Sequence, residues 1–89
     1  MHFQLLTRDK RIDYDIWQGR HQFYYARIEK PYKKDHPDFK LYTFKIRKPC
    51  GEVITSELLN QSFTNLEDCR DFIFKWIKKE LKSIKTNVL

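Results

Sequence analysis

Eighty-nine residues with 18 Lys and Arg against 12 Asp and Glu, a formal charge of +6, make one small basic domain in which every large apolar residue counts towards the core. Two cysteines, Cys50 and Cys69, are too few for a disulfide scaffold and too far apart for a zinc knuckle. No stretch of about 18 apolar residues is present to span a membrane, and Met1 to Arg11 lacks the apolar segment of a signal peptide. The expectation is a cytoplasmic protein with reduced cysteines that folds without metal or cofactor.

Phe3 to Thr7 alternates weakly and fits either a short strand or a segment lying loosely on a sheet. Ile12, Tyr14 and Ile16 alternate with Asp13, Asp15 and Trp17, the period of a strand with one buried face. Gln18, Gly19, Arg20 and His21 read as the break after it. From Gln22 to Glu29 a second strand carries Tyr24, Ala26 and Ile28 on one side, with Phe23, Tyr25 and Arg27 on the other. Pro31 to Asp38, with two prolines and four charges, reads as an exposed connection. A third strand, Phe39 to Lys48, alternates Tyr42, Phe44 and Ile46 with Thr43, Lys45 and Arg47. Pro49, Cys50 and Gly51 form a tight turn into Glu52 to Leu59, which closes a hairpin.

The last element is a helix. Thr64 as N-cap and Glu67 three residues later have the spacing of a capping box. Leu66, Cys69, Ile73, Trp76, Ile77, Leu81 and Ile84 recur at steps of three and four, so they form one apolar stripe. Acidic Glu67, Asp68 and Asp71 precede basic Lys75, Lys78, Lys79, Lys82 and Lys85, an order that opposes the helix macrodipole. Cys69 falls on the stripe as a small hydrophobe, and Cys50 sits accessibly in a turn. The predicted fold is α+β: a three- to four-stranded antiparallel β-meander with one C-terminal amphipathic α-helix packed on one face, leaving the other face open.

Two basic surfaces are candidate sites. On the open face, Arg20, Arg27, Lys45 and Arg47 would hold phosphates while Trp17, Phe23 and Tyr25 stack on bases. Ordinary cross-strand pairing with solvated cations accounts for the same residues, and a register error of one residue would exchange the faces. On the helix, Lys75, Lys78, Lys79 and Lys82 would track a phosphate backbone or simply remain solvated. A membrane-surface reading of Phe72, Phe74 and Trp76 fails because the apolar stripe is needed to cover the sheet. Scattered histidines at 2, 21 and 36, no partnered nucleophile and just Gly19 and Gly51 argue against an enzyme, and Asp35, His36 and Asp38 read as exposed loop residues, not metal ligands.

Ser62, Phe63 and Thr64, leading after several strands into a helix through Phe72, resemble the arm-site DNA-binding domains of tyrosine recombinases, in which a three-stranded sheet is closed by one C-terminal helix. That resemblance implies that the sheet face bearing Arg27, Lys45 and Arg47 enters a major groove. The double-stranded-RNA-binding domain is similar in its strands and final helix, although its first helix and its lysine cluster are absent. Charge and aromatic content together point to a non-enzymatic module for nucleic acid, RNA or DNA, or for a nucleoprotein complex, acting as monomer or homodimer. The alternative is a protein inhibitor of the anti-CRISPR kind, similar in size and simplicity, with Trp17, Phe23 and Tyr25 as hot-spot anchors.

Overall fold

The structure, a computed structural model, describes residues 1–87, with side chains for residues 1–83. Ile84 and Lys85, assigned above to the stripe and the basic side, lie outside the described side chains. Strands β1 (Phe3–Asp9), β2 (Tyr14–His21), β3 (Tyr24–Pro31), β4 (Thr43–Arg47) and β5 (Val53–Thr55) form one antiparallel sheet in sequential order, and helix α1 (Leu66–Asn87) follows. The α+β class is as expected, but the meander has five strands, not three or four.

The extra strand is β1. A register shift between Leu5 and Thr7 interrupts its alternation, which is why the period-two signal over Phe3 to Thr7 is weak. Its anchor is Phe3, buried opposite Gly19 of β2. Gly19 is therefore mid-strand and not part of a break. A Cβ built there would lie 2.9 Å from Phe3 Cδ1 and 3.0 Å from the His2 carbonyl oxygen, so the bare backbone is what lets β1 close on β2. The chain reverses later, at the two-residue loop Gln22 and Phe23, where Gln22 takes φ 55° as a tight hairpin requires at its first loop position. In the β4–β5 hairpin Gly51, at φ 93°, supplies the positive φ expected of it.

The helix starts one residue later than the capping-box spacing indicates. Asn65 is the cap: its side-chain oxygen accepts from the amides of Glu67 at 2.7 Å and Asp68 at 3.2 Å. Thr64 and Asn65 are both good capping residues, and the first intrahelical bond, from the Cys69 amide to the Asn65 carbonyl at 3.2 Å, puts Asn65 at the cap. Cys69, Ile73 and Ile77 then face Tyr24, Ala26 and Ile28 of β3 and Phe44 and Ile46 of β4, all buried. Burial pushes the Cys69 thiol up to about 12, so it stays protonated and inert, whereas Cys50 is exposed.

Beside the helix, the same sheet face is covered by aromatic side chains. Trp17 and Tyr42 meet at 5.7 Å between ring centroids, and the Lys30 ammonium sits 4.1 Å from the Phe39 ring. The connection after β3, expected to be simply exposed, is pinned: the Tyr32 amide donates to the Asp13 carbonyl at 3.1 Å, Lys33 pairs with Asp13 at 3.2 Å, and the His36 ring rests edge-on against Tyr14 at 5.5 Å.

Among the described residues two buried side-chain polar atoms lack a hydrogen-bond partner, the Tyr24 hydroxyl and Arg70 Nε. Tyr24 is 1% exposed, and its hydroxyl has no hydrogen-bond partner among the described residues. A buried hydroxyl without a partner costs about 1–3 kcal/mol of desolvation. Tyr24→Phe is accordingly expected to leave stability unchanged or raise it by about 1 kcal/mol in urea denaturation; a loss above about 1 kcal/mol would mean that the hydroxyl is satisfied.

Candidate nucleic-acid interface

Strand register fixes what the face away from α1 presents. One row across four strands runs Arg20, Tyr25, Arg47, Val53, and the next row runs Gln4, Gln18, Arg27, Lys45, Thr55 across all five. Residues directly opposed on neighbouring strands share a face, so these two rows form one surface. Arg20, Arg27, Lys45 and Arg47 are all exposed on it, and Tyr25 is half-buried between them. Beyond the second row the same face closes over, with Ile16 and Pro31 buried and His36 against Tyr14. The accessible surface is thus the half nearest the Gln22–Phe23 turn.

The four cations are not equivalent. Arg27 lies 3.2 Å and Lys45 3.7 Å from one carboxylate, Glu29, which is largely buried at the closed end of the face. Arg47 and Arg20 instead sit over the Tyr25 ring, at 4.9 and 6.0 Å from its centroid, and neither makes an ion pair among the described residues. The tyrosine quadrupole holds both guanidinium groups without neutralising them, so their N–H donors remain available to an anion. Shallow depressions of about 370 Å³ beside Gln4, Gln18, Arg20 and Tyr25, and about 330 Å³ beside Gln18, Arg27, Lys45, Arg47 and Val53, flank the ring.

Two cations outside this face are committed to partners. Arg8 pairs with Asp15 at 2.7 Å and holds that carboxyl below the usual range, and Lys48 pairs with Glu80 at 2.7 Å, which raises the pKa of its ammonium and ties the β4–β5 turn to the helix. Among the described residues no group of three or more His, Cys, Asp or Glu is placed to hold a metal ion, and no helix is long and apolar enough to cross a membrane.

Five of the predicted site residues, Arg20, Tyr25, Arg27, Lys45 and Arg47, are therefore brought together. Trp17 is not: it opposes Ile28 on the helix-covered face and packs against the core, a correction that follows from register. Phe23 lies in the turn, 76% exposed at the rim of the surface instead of within a strand. Lys75, Lys78, Lys79 and Lys82 line a shallow depression of about 240 Å³ on α1, with Lys78 5.2 Å from the Phe74 ring centroid. The thickness of helix and sheet separates them from the strand cations, so the two basic sets are two surfaces. Sequence reading missed Glu29, whose place two residues after Arg27 on one strand face was a usable signal. It also missed Gln4, in a segment that fits either a short strand or a loose one, Gln18, in the segment read as a break, and Val53, within a predicted strand.

No family model, no curated protein and no solved structure matches this chain.

Proposed function

We propose that this protein is a non-enzymatic basic binding module for nucleic acid, RNA or DNA, alone or within a nucleoprotein complex, and that it works in the cytoplasm. The observation that carries the reading is the row Arg20, Tyr25, Arg47, in which two guanidinium groups, without carboxylate partners among the described residues, are held over one ring on an uncovered sheet face. Planar guanidinium forks bind phosphate oxygens in bidentate fashion, and a flat sheet presents several of them to one strand at once. Arg27 and Lys45 continue the positive surface towards Glu29, which limits its extent.

Salt titration tests this directly. If the four cations each neutralise a phosphate of a single strand, the logarithm of affinity falls with the logarithm of salt at a slope of about −2.8, a drop of about 50-fold between 50 and 200 mM. A protein partner engaged mainly through Phe23 and Val53, which are 76% and 46% exposed, would respond weakly to salt. Absence of binding to any single- or double-stranded RNA or DNA at low salt would reject the nucleic-acid reading and leave the inhibitor reading, whose anchors would be those two apolar side chains.

A further inference from the structure

The β2–β3 and β4–β5 turns lie at the same end of the sheet, because Tyr25 at the start of β3 opposes Arg47 at the end of β4. Between them is an open notch of about 410 Å³ lined by Phe23, Tyr25, Arg47, Lys48, Pro49 and Gly51. Among the described residues its lining contains two cations and no carboxylate. The Phe23 ring, 76% exposed, is held there by a two-residue loop with Gln22 at φ 55°. The Tyr25 ring is already occupied by Arg47 and Arg20, so the open aromatic surface at this end is Phe23.

We propose that the notch takes one unpaired base of a single-stranded nucleic acid, stacked on Phe23 against the Pro49–Gly51 turn, with the adjoining phosphates on Arg47 and Arg20. This rests on the nucleic-acid reading above and adds a substrate class to it. Bases in a duplex are paired and stacked on their neighbours, whereas a single strand can splay a base onto an aromatic side chain. The Lys48 ammonium is held by Glu80 and Glu52 at 2.7 and 3.4 Å, so it steadies the wall of the notch and Arg47 is the cation left to meet the strand.

The test compares the unmodified protein, Phe23→Ala and Phe23→Trp on 15-nucleotide oligouridine and oligothymidine, on a duplex of the same length, and on inorganic polyphosphate. Base stacking on one ring contributes about 1–3 kcal/mol, so Phe23→Ala is expected to weaken binding to the single strands about tenfold or more while leaving duplex and polyphosphate affinities within about twofold. Phe23→Trp should retain single-strand affinity, with indole emission quenched by the oligonucleotides and not by polyphosphate. The oligouridine and oligothymidine arms show which sugar is preferred, and the proposal holds with either. Equal affinity of Phe23→Ala and the unmodified protein for single strands, or an equal loss on single strand and duplex, overturns the base notch while nucleic-acid binding stands. If the unmodified protein binds none of the probes, the underlying functional reading falls, and the notch assignment falls with it.

Discussion

Arg20→Glu/Arg47→Glu is expected to lower single-strand affinity by at least about 100-fold and to reduce the salt slope by about 0.7 per lost contact, with the fold unchanged. A hydrogen bond to a charged group contributes about 1.5–3 kcal/mol, so losing two reaches that figure before the repulsion from two added carboxylates is counted. The effect concentrates here because these two guanidinium groups sit over Tyr25 and, among the described residues, not against a carboxylate. Arg27→Ala and Lys45→Ala should each cost less, since both cations lie within 3.2–3.7 Å of Glu29 and are partly neutralised already. The same asymmetry gives Glu29→Gln a sign: removing that carboxylate releases Arg27 and Lys45 and should strengthen binding about threefold, as loss of a screened charge near the surface implies. Because all four cations are exposed, circular dichroism and thermal midpoint should move little. Retention of affinity within tenfold by the double variant would exclude this face as the interface.

How much of this was readable in the chain depends on the strand. β3 and β4 alternate cleanly, since Tyr24, Ala26, Ile28, Phe44 and Ile46 are buried while Arg27, Lys45 and Arg47 are exposed, and the open-face cations followed from them. β2 carries large apolar residues on both faces, Ile16 on one and Trp17 on the other, so its period could not say which face the helix covers. The helix covers the Trp17 face, so Trp17 leaves the open surface. Gly19 added a second misdirection, because glycine ordinarily marks a break, whereas here it makes room for Phe3. The true reversal at Gln22 and Phe23 has neither glycine nor asparagine to announce its positive φ. Such a turn is imposed by the pairing of the strands around it, which is long-range information that no local pattern holds. For the site this matters more than for the fold: the misplaced turn is the one that carries Phe23 out of the strand and into the rim of the notch.

Ile73→Ala is expected to cost about 3 kcal/mol of unfolding free energy, about 15 °C or more in thermal midpoint for a chain of this length. Ile73 is fully buried between α1 and the strands, within the cluster that includes Ile28, Phe44 and Ile46. Truncating it leaves a cavity that neither a sheet nor a helix can readily close, and the total stability available to so small a fold is of the order of 5–10 kcal/mol. Lys79→Ala, on the exposed side of the same helix, should stay within about 0.5 kcal/mol and serves as the control. The two substitutions also separate folding from binding. The open face owes its spacing to the pairing of β3 with β4, through Tyr25 opposite Arg47 and Arg27 opposite Lys45, and that pairing persists wherever the destabilised variant is still folded. At a temperature well below its lowered midpoint, Ile73→Ala should therefore bind with unchanged affinity and unchanged salt slope. A cost under about 1 kcal/mol would mean that α1 is not docked through this residue, and a change in salt slope in the folded variant would mean that the helix contributes to the interface from the other side of the sheet.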